Sequence, residues 1–283
     1  MTRAEIEKRI APVIASCRSR FALTASDEAD APATQESLRP EIRRVSLIAS
    51  MVVSLCGNDP ASEALEVGSG FGYLLFSLAA LFPQIRWSTI EHPAQPFATR
   101  KKYQKAFRDC QCRFELLDLL HSPLPFPDGH FSLVTFSEVL EHLPPDHVNF
   151  ILREIARTIH PGGILIASSP NQASLENRLR LFRGKSIFEF PDELPYAKGL
   201  YGHIRLYTTV EMQCAMAKLG FTLGLRALES NNSSYRGTSP RSWKRWTYRL
   251  YEGLEQQFTI LRPLADTWYM AFRKNSHAVA RPG

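Results

Sequence analysis

Residues 64–79, ALEVGSGFGYLLFSLA, decide how this chain folds. Four strand-forming residues run into a glycine-rich turn, and an apolar helix follows. Gly68, Gly70 and Gly72 let the backbone turn tightly and come close to a ligand at the helix N-terminus. A lone G-x-G-x-G is weak, but its context sharpens it. Glu66 sits at the strand's end, and Glu91 ends the next apolar run, IRWSTIE, where a ribose-binding acid belongs in such folds.

A dinucleotide site usually shows G-x-G-x-x-G; here the third glycine falls one position early and an acid precedes the first. That carboxylate is awkward for a pyrophosphate and suits a ligand carrying an ammonium group. The pattern argues against NAD and towards S-adenosylmethionine, which has an amine at one end and a ribose diol at the other.

Outward from this stretch, strand-like and helix-like patterns alternate. ALEV is followed by a helix from Tyr73 to Leu81, IRWSTI, a helix over about 94–107, CRFELL, FSLVTF, a helix over 147–159, and ILIAS. In the 147–159 helix, Val148, Ile151, Leu152, Ile155 and Ile159 share one face of a 3.6-residue period. Asp146 is its expected N-cap and Pro161-Gly162-Gly163 its expected end. Short apolar strands alternating with amphipathic helices predict a parallel sheet covered on both faces, a doubly wound α/β fold. Before it, residues 1–57 read as a helical N-terminal extension, two amphipathic segments flanking a polar break at 24–40. After it come a mixed stretch at 172–207, the helix TTVEMQCAMAKLG with Gly220 as C-cap, and the strands FTLGLRAL and TWYMAF.

The 283 residues, 44% hydrophobic and 22% charged, suit a globular protein with one main domain. The longest apolar run, SLIASMVVSLC, falls short of the roughly 20 residues of a membrane span. The N-terminus mixes acids and bases without a secretory h-region, and five cysteines with an isolated C-x-C read as reduced thiols. The expectation is a cytoplasmic protein. A net charge of +6 is a modest lean towards anionic partners.

The stretch SEVLEHLPPDH, residues 137–147, crowds Glu138, Glu141 and His142 behind the apolar run FSLVTF. Ligands in open α/β sheets sit outside the carboxyl ends of the strands, so these residues stand near the transferred group. Three readings compete. Glu141 pre-caps the next helix while His142 bonds a loop carbonyl; or His142, with Glu138 beside it, acts as general base; or the group binds a metal, with His203 as a further donor. His121, His130, His147 and His160 read as structural.

LEVGSGFG, IEHP, ELLDLLHSPLPFPDGHFSLV and IHPGGILIASSPN, in this order over about residues 60–225, resemble the motifs of class I S-adenosylmethionine-dependent methyltransferases. The resemblance implies a Rossmann-like, mostly parallel seven-stranded sheet with an antiparallel last strand. The domain would span 58–275, with a substrate-side insertion at 172–207, a basic aromatic insertion at 230–263 and a tail at 276–283. Gly68 and Gly70 would approach the methionyl part, Glu91 the ribose, and Asp118 and Leu119 the adenine; Glu66 and Ser137 join this cofactor set. Ser132 departs from the aspartate that many relatives carry there, a structural detail. E-x-x-E-H followed by HIRLYT is similar to the metal signature of small-RNA 2′-O-methyltransferases and of ubiquinone-pathway O-methyltransferases. By that resemblance Glu138, Glu141, His142 and His203 would hold one divalent cation, with mixed N/O ligands suiting Mn, Fe, Co or Zn at least as well as Mg.

The implied activity is O-methylation of a hydroxyl, with a sugar-type diol of a glycan or small molecule as acceptor. Methylation of an RNA 3′-terminal ribose is the alternative among enzymes, and a non-catalytic cofactor-binding regulator the alternative outside them. Arg178, Arg180, Arg183 and Lys185, with Phe182, Phe188, Phe190, Tyr196 and Tyr201, would meet the acceptor, or form a lid helix with a solvated basic face. RSWKRWTYRLY, residues 241–251, suits an anionic membrane surface, nucleic acid, or packing on its own domain. The expected partner is a small-molecule or glycan substrate, with peripheral contact at the inner membrane surface and then nucleic acid as the further candidates.

Overall fold

The structure is a computed structural model that describes residues 1–21, 35–56, 62–188, 202–229 and 264–276. Most of the 24–40 break, the Gly57-to-Pro60 boundary, Phe190, Tyr196, Tyr201, the 230–263 insertion and residues 277–283 lie outside them. Two helices open the chain, α1 (Arg3–Phe21) and α2 (Gln35–Cys56). There follow β1 (Glu63–Val67), α3 (Tyr73–Leu81), β2 (Arg86–Glu91), α4 (Lys101–Asp109), β3 (Arg113–Leu116) and β4 (Phe131–Ser137). Then come α5 (Pro145–Thr158), β5 (Ile159–Pro170), α6 (Leu175–Phe182), α7 (Thr209–Lys218), β6 (Phe221–Glu229) and β7 (Thr267–Lys274).

The seven strands form one sheet in the order β3-β2-β1-β4-β5-β7-β6. β1 to β5 are parallel, and β7 runs antiparallel to both β5 and β6. This is the Rossmann-like methyltransferase fold. Residues alternate between the sheet's two faces, as the period of two requires. On β1, Ala64 packs with Ile6, Ile10, Ile48, Leu75 and Phe107 from the α1–α4 side, whereas Leu65 and Val67 join Ile151, Ile155 and Met216 from α5 and α7. The N-terminal helices are therefore part of the core, with Ile6, Ile10 and Ile14 fully buried.

Local chemistry explains where elements begin and end. Thr208 and Glu211 form a capping box that starts α7, each side chain taking the other's backbone N–H. The expected N-cap Asp146 is instead inside the first turn of α5, flanked by Pro144, and no side chain caps this helix. Pro145 fits N1, where its missing N–H costs nothing. Pro161-Gly162-Gly163 does not end α5 either: the helix stops at Thr158, and these residues sit in β5 beside a register shift between Phe131 and Leu133. The helix expected over 94–107 begins only at Lys101. Ser132 does serve structure, its hydroxyl donating to Glu63 O at 2.9 Å.

The switch point lies between β1 and β4, because β1 continues to β2 and β3 on one side while β4 leads to β5 on the other. Open α/β sheets bind ligands at this crevice. The glycine loop after β1 and the Glu138–His142 turn after β4 both open onto it.

A candidate active site at the carboxyl ends of β1 and β4

Each glycine after β1 has its own reason. A Cβ on Gly68 would come within 2.5 Å of Val139 Cγ2, so the loops after β1 and β4 touch here. Gly72, with φ +74, begins α3 and packs against Phe76. Gly70, with φ +48, has nothing within 4 Å of its Cβ position and faces open space. Its N–H donates to Glu91 Oε2 at 2.6 Å, and the His92 N–H donates to Glu91 Oε1 at 2.8 Å. Burial, set against these bonds, raises the Glu91 carboxyl above its ordinary value.

A cleft of about 240 Å³ starts at this loop and is lined by Gly68, Gly70, Glu91, Asp118, Leu119 and His142, among others. Asp118 accepts from the Leu120 N–H at 2.9 Å and pairs with His121 Nδ1 at 2.7 Å. Burial works to raise its pKa, but His121, the Leu120 N–H and His92 together hold it below the usual value. Glu66 and Ser137 do not line the cleft. Glu66 is buried beneath the loop with Oε2 unpartnered, and burial first, then Glu91, pushes its pKa well up against the pull of Arg44. Ser137 lies 2.7 Å from Ser168 Oγ and accepts from Arg44 at 3.4 Å.

The turn after β4 separates the four residues of the E-x-x-E-H…H pattern. Glu138 has φ +57 and accepts from the Ser168 hydroxyl at 2.8 Å. Glu141 and His142 follow in a 3-10 turn, Leu140–His142. Glu141 is buried, accepts from Ser169 Oγ at 3.0 Å, and its carboxyl is pushed well up by burial and then by Glu138. Its backbone carbonyl receives the Ile204 N–H at 2.8 Å, which brings the His203 strand of chain alongside. The imidazoles of His142 and His203 lie 5.2 Å apart between centroids. One ligand atom each from Glu141, His142 and His203 falls within a mutual distance of 4.8 Å, while Glu138 stands outside this group. His142 Nδ1 is 3.3 Å from Gly202 O, the loop-carbonyl contact expected of it, whereas Glu141 caps no helix.

A second cavity of about 570 Å³ adjoins the first and shares Glu138 with it. His142 lines the first and His203 the second. The second also takes Glu41 and Arg44 from α2, Glu176, Asn177 and Arg180 from α6, and Phe188 and Asp266. The sequence patterns did not point to Arg44, which reaches Ser137 from 93 positions away. They also missed Tyr103, whose hydroxyl donates to Gly70 O at 2.5 Å. The other histidines are tied locally: His147 to Asp146, and His160 to Pro161 O.

Residues 65–167, about a third of the chain, match the family model of a methyltransferase domain. The methyltransferase str3 of Strobilurus tenacellus is 32% identical over 107 residues, 37% of this chain and 34% of that protein. A probable S-adenosylmethionine-dependent methyltransferase of Mycobacterium tuberculosis is 30% identical over 112 residues, 40% of this chain and 37% of that protein. The matches thus span little more than a third of these relatives. Among solved structures, the N-methyltransferase NodS of Bradyrhizobium japonicum, in complex with S-adenosyl-L-homocysteine, superposes with a TM-score of 0.52. It is 16% identical, and the match covers 92% of this chain and 98% of NodS. The 4+2 cyclase SpnF gives a TM-score of 0.55 at 15% identity, covering 96% of each chain. One fold thus serves an N-methyltransferase and a cyclase, so the reaction has to be argued from the site.

Proposed function

We propose that this chain is an S-adenosylmethionine-dependent O-methyltransferase whose acceptor is a diol of a sugar or similar small molecule, with one divalent cation assisting. The carrying observation is that two cavities meet at Glu138, with His142 on the wall of one and His203 on the wall of the other. S-adenosylmethionine, when bound, supplies an electrophilic methyl group. The first cavity fits it: Gly70 leaves open space, Glu91 offers buried acceptor oxygens suited to ribose hydroxyls, and Asp118 and Leu119, on the same lining, would meet the adenine.

Glu141, His142 and His203 form a donor set that fits a divalent cation, one buried carboxylate and two imidazoles. Such an ion, when bound, lowers the pKa of a coordinated oxygen. Glu138, bonded to Ser168, is better placed to orient an acceptor hydroxyl than to complete the metal set. The second cavity carries Glu41, Glu138, Glu176 and Asp266 against Arg44 and Arg180. That balance suits a polyol and disfavours a polyanion such as RNA.

A metal-free variant of this chemistry is supported by His142 itself. The contact of Nδ1 with Gly202 O favours the tautomer that leaves Nε2 as the basic nitrogen. Methyl transfer from labelled S-adenosylmethionine to a panel of polyols, with and without chelator, separates the two. Turnover abolished by EDTA and restored by Mn²⁺, with metal content lost in His203→Ala, supports the cation. Full turnover in EDTA leaves His142 as general base, and no transfer to any hydroxyl acceptor sinks the proposal.

A further inference from the structure

α6 is half-buried over its first turn and exposed from Arg178 onward. None of its eight residues is buried, and it contributes Leu179, Leu181 and Phe182 to the eight large apolar side chains exposed among the described residues. Phe182 is 90% exposed. Leu175, Leu179 and Phe182 fall at i, i+4 and i+7, one stripe of the helix, while Leu181 is exposed about 100° round from Phe182 at the same C-terminal end. Arg178 and Arg183 flank this stripe, Lys185 follows the helix, and Glu176 is the one acid in the segment. Ser174 caps the helix by accepting the Asn177 N–H, and Arg180 Nε donates to Ser186 O, so the segment is built as a unit.

An exposed phenylalanine and leucines would be a liability facing water alone, and cations ringing them select an anionic surface that also accepts apolar side chains. We infer that α6 docks the protein on an anionic lipid surface, with Leu181 and Phe182 entering the headgroup–acyl boundary while Arg183 and Lys185 meet the headgroup phosphates. Amphipathic helices with basic flanks bind bilayers in this manner. A nucleic acid would match the charge but leave the leucines uncovered, and a second copy of this helix would bring like charges together. The same helix lines the second cavity through Glu176, Asn177 and Arg180. Resting on the methyltransferase reading, this puts a lipid-carried acceptor within one helix of the site.

Flotation of the full-length protein with vesicles tests the docking independently of any activity. Vesicles of phosphatidylcholine with about a third phosphatidylglycerol are compared with phosphatidylcholine alone, at low and at raised salt. The expected result is binding to the anionic vesicles alone, weakened about tenfold or more in Leu181→Ser/Phe182→Ser and in Arg183→Glu/Lys185→Glu. Circular dichroism melts establish that both variants fold. Wild type that stays unbound on anionic vesicles, or variants that bind as tightly as wild type, overturn the inference. So does a dimer in sedimentation velocity that Phe182→Ser disperses, which would make a second copy the occupant.

Discussion

Tyr103 stands on α4, yet its hydroxyl acts on the loop after β1, donating to Gly70 O and lying 2.9 Å from Ser69 Oγ. Burial first, and then the Glu91 carboxylate, push its pKa upward, so the hydroxyl keeps its proton and stays a donor. Its ring is held by edge contacts with Phe107 and Phe114, which fix where the hydroxyl points. Tyr103→Phe keeps this aromatic packing and removes the bond to the loop. The fold should survive, while affinity for S-adenosylhomocysteine drops about fivefold, in line with about 1 kcal/mol for one hydrogen bond. Titration calorimetry reads this directly, and an unchanged affinity would show that the loop holds its shape without Tyr103.

At the scale of elements, the carboxyl-terminal half of α5 is latched to the loop before β4. Arg157 donates to Phe126 O, Leu124 O and Asp128, and pairs with Glu154, which also receives the Leu124 N–H. The bond from Arg157 holds the Glu154 carboxyl below its ordinary value of 4.5 against the opposing effect of burial. A depressed carboxyl stabilises the fold above its unfolded pKa, and that contribution is lost as pH falls through the folded value. Glu154→Gln should therefore cost about 1–2 kcal/mol near neutral pH, with the gap to wild type closing towards about pH 3. Urea melts at both ends decide it; a gap that does not change with pH would mean Glu154 acts as a neutral acceptor only. The strand and helix alternation was legible because periodicity is local, and the α7 cap because Thr208 and Glu211 are three positions apart. Elements were misjudged where two local rules met, as at Pro144-Pro145, where proline at N1 displaced a side-chain cap. The site was half legible. E-x-x-E-H suggests a shared face only if its residues share one helix, but the positive φ of Glu138 ends that continuity before the Leu140–His142 turn.

At the scale of the whole molecule, the N-terminal helices join the core to the site. Arg3 of α1 pairs with Glu229 at the end of β6, while α2 sends Arg44 towards the carboxyl ends of β1 and β4. Arg44 opposes the rise of the buried Glu66 carboxyl, which burial and Glu91 push up. No local pattern announces this role, since the partners lie far apart along the chain. Arg44→Met retains the stem's apolar contacts and removes the charge, so the Glu66 pKa should climb further in the folded state. A carboxyl raised above its unfolded value binds protons more tightly when folded, so stability is lost as pH rises through that interval. The variant should thus be less stable than wild type by about 2 kcal/mol at about pH 8, somewhat under the cost of unpairing a fully buried charge. Towards lower pH the difference should narrow, as the raised Glu66 carboxyl takes up its proton in both proteins. Adding Glu66→Gln to Arg44→Met should recover most of the loss at the higher pH, because no buried carboxylate is left to compensate. Thermal melts of the four proteins at the higher and the lower pH form a double-mutant cycle. Strictly additive losses would mean that Arg44 does not act through Glu66, and that α2 supports the site by other contacts such as the bond to Ser137.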